Sequence, residues 1–244
     1  MSKEHRVLLE LTLCSCRTSL KNKEVFSLTL NRLPLATECK VLTAKLSGID
    51  LTLIRGESCL FQGLEFALDS GELLLLEGQN GSGKTSLMRA IAGMLSLETG
   101  EIHWNGKPVD RQRQDFHGSL VWLAHRTGLK GDLTLVENLR FEGALRAQSD
   151  VDRGSIYERL GISRLKTLPL RALSAGQQRR VALARMLMAN VPLWLMDEPF
   201  TNLDREGRKL VMQLTEEHLE KGGMCVMAAH QDIEINGTVR RVGL

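Results

Sequence analysis

The stretch LLLLEGQNGSGKTS, residues 73–86, joins an apolar run to a glycine-rich segment that ends in a Lys-Thr pair. Its second half fits the pattern G-x-x-x-x-G-K-[ST], which carries meaning where a strand precedes it and a helix follows. Both conditions are met, because LLLLE (73–77) has the length of a buried strand and KTSLMRAIAGM (84–94) starts a helical pattern. The stretch therefore predicts a strand, a phosphate-binding loop and a helix, in that order.

The glycines of this segment indicate how the loop would bind a nucleotide. Glycine lets the backbone wrap closely around phosphate oxygens with its N–H groups pointing inward, and the helix N-terminus adds partial positive charge. Lys84 would reach the β- and γ-phosphates, and the Thr85 hydroxyl would bind Mg²⁺. The expected nucleotide-binding residues are Gly78, Gln79, Asn80, Gly81, Ser82, Gly83, Lys84, Thr85 and Ser86.

Two further apolar runs, VPLWLM (191–196) and MCVMAA (224–229), have the length of buried strands and alternate with helical patterns. Such alternation predicts a parallel sheet covered by helices, whose ligands lie at the carboxyl ends of the strands. Asp197 and Glu198 follow the first of these runs. Because an unpaired buried carboxylate is costly, we interpret Asp197 as a Mg²⁺ partner and Glu198 as the base that polarises water.

The character of the chain changes between about 118 and 180, where helical patterns dominate. Thr134-Leu-Val-Glu137 and Ser155-Ile-Tyr-Glu158 both fit the capping box that opens a helix. We therefore expect a helical insertion over about 118–180, between the first and the later strands of the sheet.

The segment LSAGQQRRVALARM (173–186) predicts a helix capped by Ser174 and Gln177. Its Ser and Gly at a helix N-terminus also form a second potential anion site. This helix has no room beside the nucleotide loop of its own chain if that loop already encloses the ATP. We therefore expect a homodimer in which each ATP lies between the loop of one chain and LSAGQ of the other.

In order and spacing, GQNGSGKT, LSAGQ, LMDEP, Asn202-Leu-Asp204 and His230 resemble the motifs of the ATP-binding cassette (ABC) ATPases. The resemblance covers about residues 42–244. It implies an α/β P-loop NTPase fold of ABC type, with a mostly parallel RecA-like sheet, an antiparallel β-subdomain and an inserted helical subdomain. It also implies a head-to-tail dimer that binds ATP and Mg²⁺.

The resemblance assigns roles to further residues. His230 would contact the γ-phosphate and hold the attacking water, and Asp204 would lie on a loop that crosses the dimer interface. Arg55 occupies the position from which an aromatic ring often stacks on adenine; its alternative role is an exposed β-turn arginine. The signature residues that would contact the partner's ATP are Ser174, Ala175, Gly176 and Gln177.

Finer features resemble the ATP-binding subunit of the bacterial cytochrome c maturation (Ccm) system. They include Phe200 after Asp-Glu-Pro, the AHQ segment (229–231) and the terminal VRRVGL (239–244). The resemblance implies a peripheral ATPase on the cytoplasmic face of the inner membrane, bound to integral membrane transporter subunits and coupled to haem export or to release of a haem-loaded chaperone. The alternatives are the ATPase of another bacterial ABC exporter and a soluble, non-transport ABC protein.

The stretch AHRTG (124–128) departs from that family, whose loop reads Gly-His-Gln-Pro-Gly. Counting back from Leu133-Thr134 places His125 at the position where ABC ATPases carry a glutamine that senses Mg²⁺ or water. Two interpretations of this coupling-loop residue remain open. The imidazole contacts the nucleotide environment, or it faces the membrane partner.

Bulk properties exclude other classes of protein. A net charge of +3 is too small to favour a nucleic-acid partner, and no run approaches the about 18 to 20 apolar residues that cross a bilayer. The five cysteines, in an odd set without metal-like spacing, indicate reduced cytosolic thiols. We expect residues 1–40 to be a dispensable or artefactual extension, with Val41 as an alternative start, and residues 41–244 to form the ABC domain.

Overall fold

The parallel sheet that the apolar runs predict is present. The computed structural model describes residues 44–145, 151–229 and 233–244. Five strands form this sheet in the order β6-β7-β8-β3-β9, and every neighbouring pair is parallel. Its strands are β3 (Glu72–Glu77), β6 (Leu120–Leu123), β7 (Leu193–Asp197), β8 (Met224–Ala228) and β9 (Thr238–Gly243).

A second, antiparallel sheet has the order β2-β1-β4-β5. Its strands are β1 (Lys45–Arg55), β2 (Ser58–Asp69), β4 (Thr99–Trp104) and β5 (Lys107–Pro108). Six α-helices accompany the two sheets in the described residues: α1 (Lys84–Ile91), α2 (Arg113–Gly118), α3 (Leu135–Leu145), α4 (Arg153–Arg159), α5 (Ala175–Ala189) and α6 (Arg205–Glu220). This arrangement confirms the predicted α/β fold with a mostly parallel sheet, an antiparallel β-subdomain and an inserted helical subdomain.

The central strands are buried on both faces, which explains why they are continuously apolar rather than alternating. In β3, Leu73 and Leu75 pack into a core cluster that contains residues of α5 and α6. Leu74 and Leu76 point the other way, into a cluster with α1, α2 and the antiparallel sheet. The parallel sheet therefore separates two hydrophobic cores and fixes which ends of its strands meet.

The segment predicted as a helical insertion differs from the structure at its start. β6 lies within it and pairs with β7, so residues 120–123 belong to the core sheet. The four residues LVWL are too short for a strand period to be distinguished from a buried helical turn. The helices between β6 and β7 begin only at Leu135.

One of the two predicted capping boxes of this segment is present. Thr134 and Glu137 exchange backbone and side-chain hydrogen bonds of 2.8 and 3.2 Å at the start of α3. Ser155 does not cap α4, because Asp152 precedes the helix and accepts hydrogen bonds from the backbone of Gly154 and Ser155. The extension over residues 1–40 lies outside the described residues.

A half-buried histidine joins α6 to the parallel sheet. The His218 ring stacks on Trp194 with ring centroids 3.9 Å apart, and its Nε2 lies 3.2 Å from the carbonyl oxygens of both Pro192 and Met224. Burial lowers the pKa of His218 to about 4, against the weaker opposing effect of those two carbonyls. The ring is therefore neutral in the folded protein at physiological pH.

We predict that His218 makes the protein less stable in mild acid. Between pH 6.5 and about 4, the unfolded chain protonates this residue whereas the folded chain does not, so the free energy of unfolding falls as the pH falls. The loss between pH 7.5 and pH 5 should be about 2 kcal/mol. Urea unfolding of the wild type and of His218→Phe at both pH values measures it. A stability difference between the two proteins that does not change with pH would contradict the prediction.

Candidate active site

The segment between β3 and α1 forms a tight loop whose glycines adopt backbone angles closed to other residues. Gly78, Gly81 and Gly83 have φ values of 146°, 87° and 111°. A Cβ on Gly78 would also lie only 2.5 Å from the carbonyl oxygen of Leu244 and 2.6 Å from the Ser82 hydroxyl. The conformation therefore favours glycine at all three positions, and the close packing requires it at Gly78 as well, as the motif predicts.

Lys84 begins α1, and its buried ammonium group is held at the loop. Its Nζ donates hydrogen bonds to the carbonyl oxygens of Gly78 and Gln79, at 2.7 and 2.8 Å. The Ser82 hydroxyl is buried and has no hydrogen-bond partner among the described residues. A cation and an unsatisfied hydroxyl in one glycine loop fit a ligand that is rich in oxygen atoms.

A cavity of about 200 Å³ opens beside this loop. Besides Leu60, its lining consists of residues that the sequence motifs single out. These are Arg55, Asn80, Gly81, Gly83, Lys84, Thr85, Ser86, Asp197 and Glu198. The fold thus brings the predicted nucleotide loop, Arg55 and the two carboxylates to one cavity.

Asp197 ends β7 and contacts the start of α1. Its Oδ2 accepts a hydrogen bond of 2.9 Å from the Thr85 hydroxyl. Burial raises the pKa of Asp197; the Thr85 hydrogen bond opposes the rise, Glu198 adds to it, and the charges of His125 and Arg179 oppose it. Burial thus makes the ionised carboxylate costly, so a further cation at this point would be strongly favoured.

Glu198 follows in an uncommon backbone conformation. Its φ of 47° lies in the left-handed region, which costs a non-glycine residue about 1–3 kcal/mol and persists only when the surroundings impose it. Its backbone N–H donates to the Ala228 carbonyl at 2.9 Å, and its carboxylate accepts a hydrogen bond of 3.3 Å from Thr201. Strained residues of this kind cluster at catalytic sites, which agrees with the role predicted for Glu198.

His125 is exposed on the loop after β6, near enough to Asp197 to affect its pKa. It is not part of the described lining of the cavity. The far end of its loop is anchored by Asn138, a buried residue of α3. The Asn138 side chain bonds both the N–H and the carbonyl of Lys130, at 2.8 and 3.0 Å, together with the carbonyls of Leu133 and Thr134. The structure is compatible with either interpretation of His125.

The signature residues lie at the N-terminus of α5 rather than in the cavity. Ser174 and Gln177 form the predicted capping box, with hydrogen bonds of 2.9 and 3.2 Å. Ser174 and Ala175 are exposed, and Gly176 packs so closely on the chain that a Cβ would lie 2.8 Å from the Asn202 carbonyl oxygen. An exposed helix N-terminus outside its own chain's cavity suits contact with a second chain.

The loop after β7 leads into α6. Asp204 is the N-cap of this helix and accepts a hydrogen bond of 2.7 Å from the Gly207 N–H. The Asp204 carboxylate also lies 3.5 Å from the Arg180 guanidinium and is largely exposed. A role for Asp204 at a dimer interface stays a prediction. His230, the predicted γ-phosphate contact, lies outside the described residues.

Arg179 is a polar residue of this region that none of the sequence motifs singles out. It is 3% exposed and contacts the chain segments that carry Asp197 and Glu198. A signal was present, because Arg179 precedes the buried Leu183 and Met186 by four and seven positions on α5. Helical spacing therefore places it on the inward face of the helix.

Comparisons with known proteins agree with this geometry. The family model described as "ABC transporter" matches residues 61–201. The cytochrome c biogenesis ATP-binding export protein CcmA of Nitrosospira multiformis is 48% identical over 195 residues, which cover 79% of this chain and 94% of that protein. CcmA of Vibrio cholerae is 44% identical over 187 residues, with 75% and 90% covered.

The fold has solved counterparts as well. A putative ABC transporter ATP-binding protein from Pyrococcus furiosus superposes with a TM-score of 0.69, at 24% identity and over 81% of this chain and 96% of that one. The glycine loop binds ATP in this family, and in this chain Asp197 and Glu198 line the same cavity as that loop. The chain belongs to the ABC transporter family of ATP-binding proteins, and within it to the ABC-type ATPases of the CcmA group.

Proposed function

We propose that this chain is the ATP-hydrolysing subunit of a membrane ABC transporter that serves cytochrome c maturation. It would couple ATP hydrolysis to haem export or to release of a haem-loaded chaperone, on the cytoplasmic face of the bacterial inner membrane. The observation that carries the catalytic part is the cavity in which Lys84, Thr85, Asp197 and Glu198 meet. The likeness to proteins named for cytochrome c biogenesis supports the biological part.

The residues of the cavity fit Mg²⁺ together with a nucleotide. The Thr85 hydroxyl and the Asp197 carboxylate, 2.9 Å apart, are the hard oxygen ligands that Mg²⁺ prefers. The described residues contain no cluster of three His, Cys, Asp or Glu side chains that could hold a metal ion alone. We infer that Thr85 and Asp197 hold Mg²⁺ and that phosphate oxygens and water complete its shell. The ion would neutralise charge on the phosphates.

The side chains and N–H groups of the cavity would bind the nucleotide and activate the attacking water. The glycine-loop N–H groups and Lys84 bind and orient the phosphates, and Arg55 offers a flat cation in the lining of the same cavity. Glu198 would accept a proton from the attacking water, because this residue lines the same cavity. His230 would hold that water in place.

We infer a homodimer with two ATP molecules sandwiched between its chains. The exposed Ser174 and Ala175 at the N-terminus of α5 support this arrangement, since they lie outside the lining of their own chain's cavity. Gly176 and Gln177 would complete the contact in trans, and Asp204 would lie at the interface.

A membrane partner is the second part of the assembly that we propose. In the portion of the chain that the structure describes, none of the helices combines the length and the apolar character needed to cross a bilayer. Integral membrane subunits of the Ccm type would supply the spanning part. The competing candidates, another exporter's ATPase and a non-transport ABC protein, are separated by the first experiment below.

The biological assignment is tested by deleting the gene and staining cell extracts for c-type cytochromes. We expect the haem-stained bands to disappear on deletion, to return with the wild-type gene, and to stay absent with a gene that encodes Glu198→Gln. Normal staining in the deletion strain would exclude the cytochrome role and leave the ATPase activity standing.

Glu198→Gln in the purified protein should separate ATP binding from hydrolysis. The amide keeps the shape of the side chain but cannot accept the proton, so we expect kcat to fall by at least about 100-fold. Dimerisation driven by Mg-ATP should persist, as measured by light scattering after gel filtration. Glu220→Gln, an exposed change at the end of α6, is the matched control and should keep wild-type turnover. Undiminished phosphate release by Glu198→Gln would refute the catalytic assignment.

The two interpretations of His125 predict different phenotypes for His125→Gln. We expect ATPase activity within about twofold of the wild type if the imidazole faces the membrane partner, together with loss of cytochrome maturation in cells. If the imidazole contacts the nucleotide environment, turnover of the purified protein falls as well. Phosphate release and haem staining, measured on the same variant, distinguish the two.

A further inference from the structure

A single buried guanidinium joins the two strand ends that border the active site. Arg179 of α5 donates through Nη1 to the carbonyl oxygen of Ala124, at 2.8 Å, just beyond β6. Its Nη2 donates to the carbonyls of Asp197 and Glu198, at 3.1 and 2.7 Å, and its Nε to that of Pro199, at 3.2 Å. All four bonds therefore end on backbone oxygens at the end of β7 or in the loops that follow β6 and β7.

Burying this charge is costly and needs a reason. Arg179 is 3% exposed, and burial lowers its pKa to about 10, while the charges of Asp197 and Glu198 oppose that fall. The side chain is still protonated at neutral pH. A planar fork of five N–H donors can satisfy several diverging carbonyls at once, which lysine cannot do.

The bond to Glu198 acts on the strained peptide of the proposed base. The N–H of Glu198 donates to the Ala228 carbonyl, and the Glu198 carbonyl receives the shortest of the Arg179 bonds. The residue is thus held on both sides while its φ remains at 47°. Since the direction of the side chain follows from the backbone angles, these bonds set where the carboxylate points.

The bond to Ala124 extends the same anchor to the neighbouring loop. Ala124 directly precedes His125, so Arg179 fixes the start of the loop on which the histidine lies. Because Arg179 bonds the carbonyls of both Ala124 and Glu198, a shift of the His125 loop would also shift the Glu198 backbone.

The position of Arg179 on its helix also matters. It follows Ser174 by little more than one helical turn, on a helix that contacts the loop after β7 at two further points. Gly176 packs against the Asn202 carbonyl, and Arg180 lies 3.5 Å from Asp204. The N-terminus of α5, which would meet the partner's ATP, is therefore packed tightly on the loop after β7 of its own chain.

We propose that Arg179 is a positioning residue for hydrolysis, which holds Glu198 and the start of the His125 loop in register with the signature end of α5. This inference rests on the proposed function, because it takes Glu198 as the base. Arg179 lies outside the lining of the nucleotide cavity, so it should affect turnover rather than ATP affinity.

The test compares Arg179→Met, Arg179→Lys and Arg185→Met as purified full-length proteins. Arg185 is the matched control, since it lies further along the same helix and donates to a carbonyl of β6, that of Trp122, at 3.0 Å. We expect Arg179→Met to lower kcat by about 10- to 100-fold with KM for Mg-ATP within about threefold of the wild type. Arg179→Lys should recover part of the loss, and Arg185→Met should stay within about twofold of wild-type kcat.

Thermal unfolding and Mg-ATP-driven dimerisation are recorded for each variant, because a merely structural loss would reduce both. The inference is overturned if KM rises while kcat is unchanged, or if kcat falls equally in Arg179→Met and Arg185→Met in proportion to stability. If Arg179→Met does not fold, wild-type kcat in Arg179→Lys overturns it. Absence of ATPase activity in the wild type would instead refute the proposed function itself.

Discussion

The hydrogen bond between Thr85 and Asp197 is the contact on which the site depends. It joins residues 112 positions apart, one at the start of α1 and the other at the end of β7. The parallel sheet makes this meeting possible, because its strands present their carboxyl ends at one edge. The glycine loop after β3 and the two acids at the end of β7 then share one cavity although β8 separates their strands.

Two positive charges on different sides of Asp197, one of them the proposed metal ion, stabilise its ionised carboxylate against the cost of burial. Burial favours its neutral form, and a second acid follows directly in the chain. The charge of Arg179 opposes this from the protein interior, where its guanidinium also bonds the Asp197 carbonyl. The nucleotide's metal ion, as we propose, opposes it from the cavity. Protein dipoles and one buried cation therefore prepare the strand end for a ligand that carries its own charge, as expected of a preorganised site.

Local patterns predicted those parts of the molecule that depend on neighbours in the chain. The glycine loop, the three apolar strands and the boxes at Thr134 and Ser174 are set by spacing within a few residues. β6 was missed because LVWL is short and resembles a buried helical turn. The box at Ser155 was wrong because Asp152, three residues earlier, offers a carboxylate acceptor that the same helix uses instead. Which of two neighbouring residues caps a helix depends on the backbone geometry at the helix start, and a sequence pattern does not contain that geometry.

The burial of Arg179 could not be predicted for a different reason, because its hydrogen-bond partners are distant in the chain. Helical spacing with Leu183 and Met186 points this residue inward, but a cation on an apolar face is usually a solvated surface group. What makes burial tolerable is a set of carbonyls from segments about 18 to 55 residues away in the chain. Those carbonyls point at one spot only because β6 and β7 are neighbours that end together. The pairing of β6 with β7 therefore places the carboxylates at the cavity and also groups the carbonyls that surround a buried cation. The helix that supplies this cation, Arg179, is α5, whose exposed N-terminus carries the signature residues.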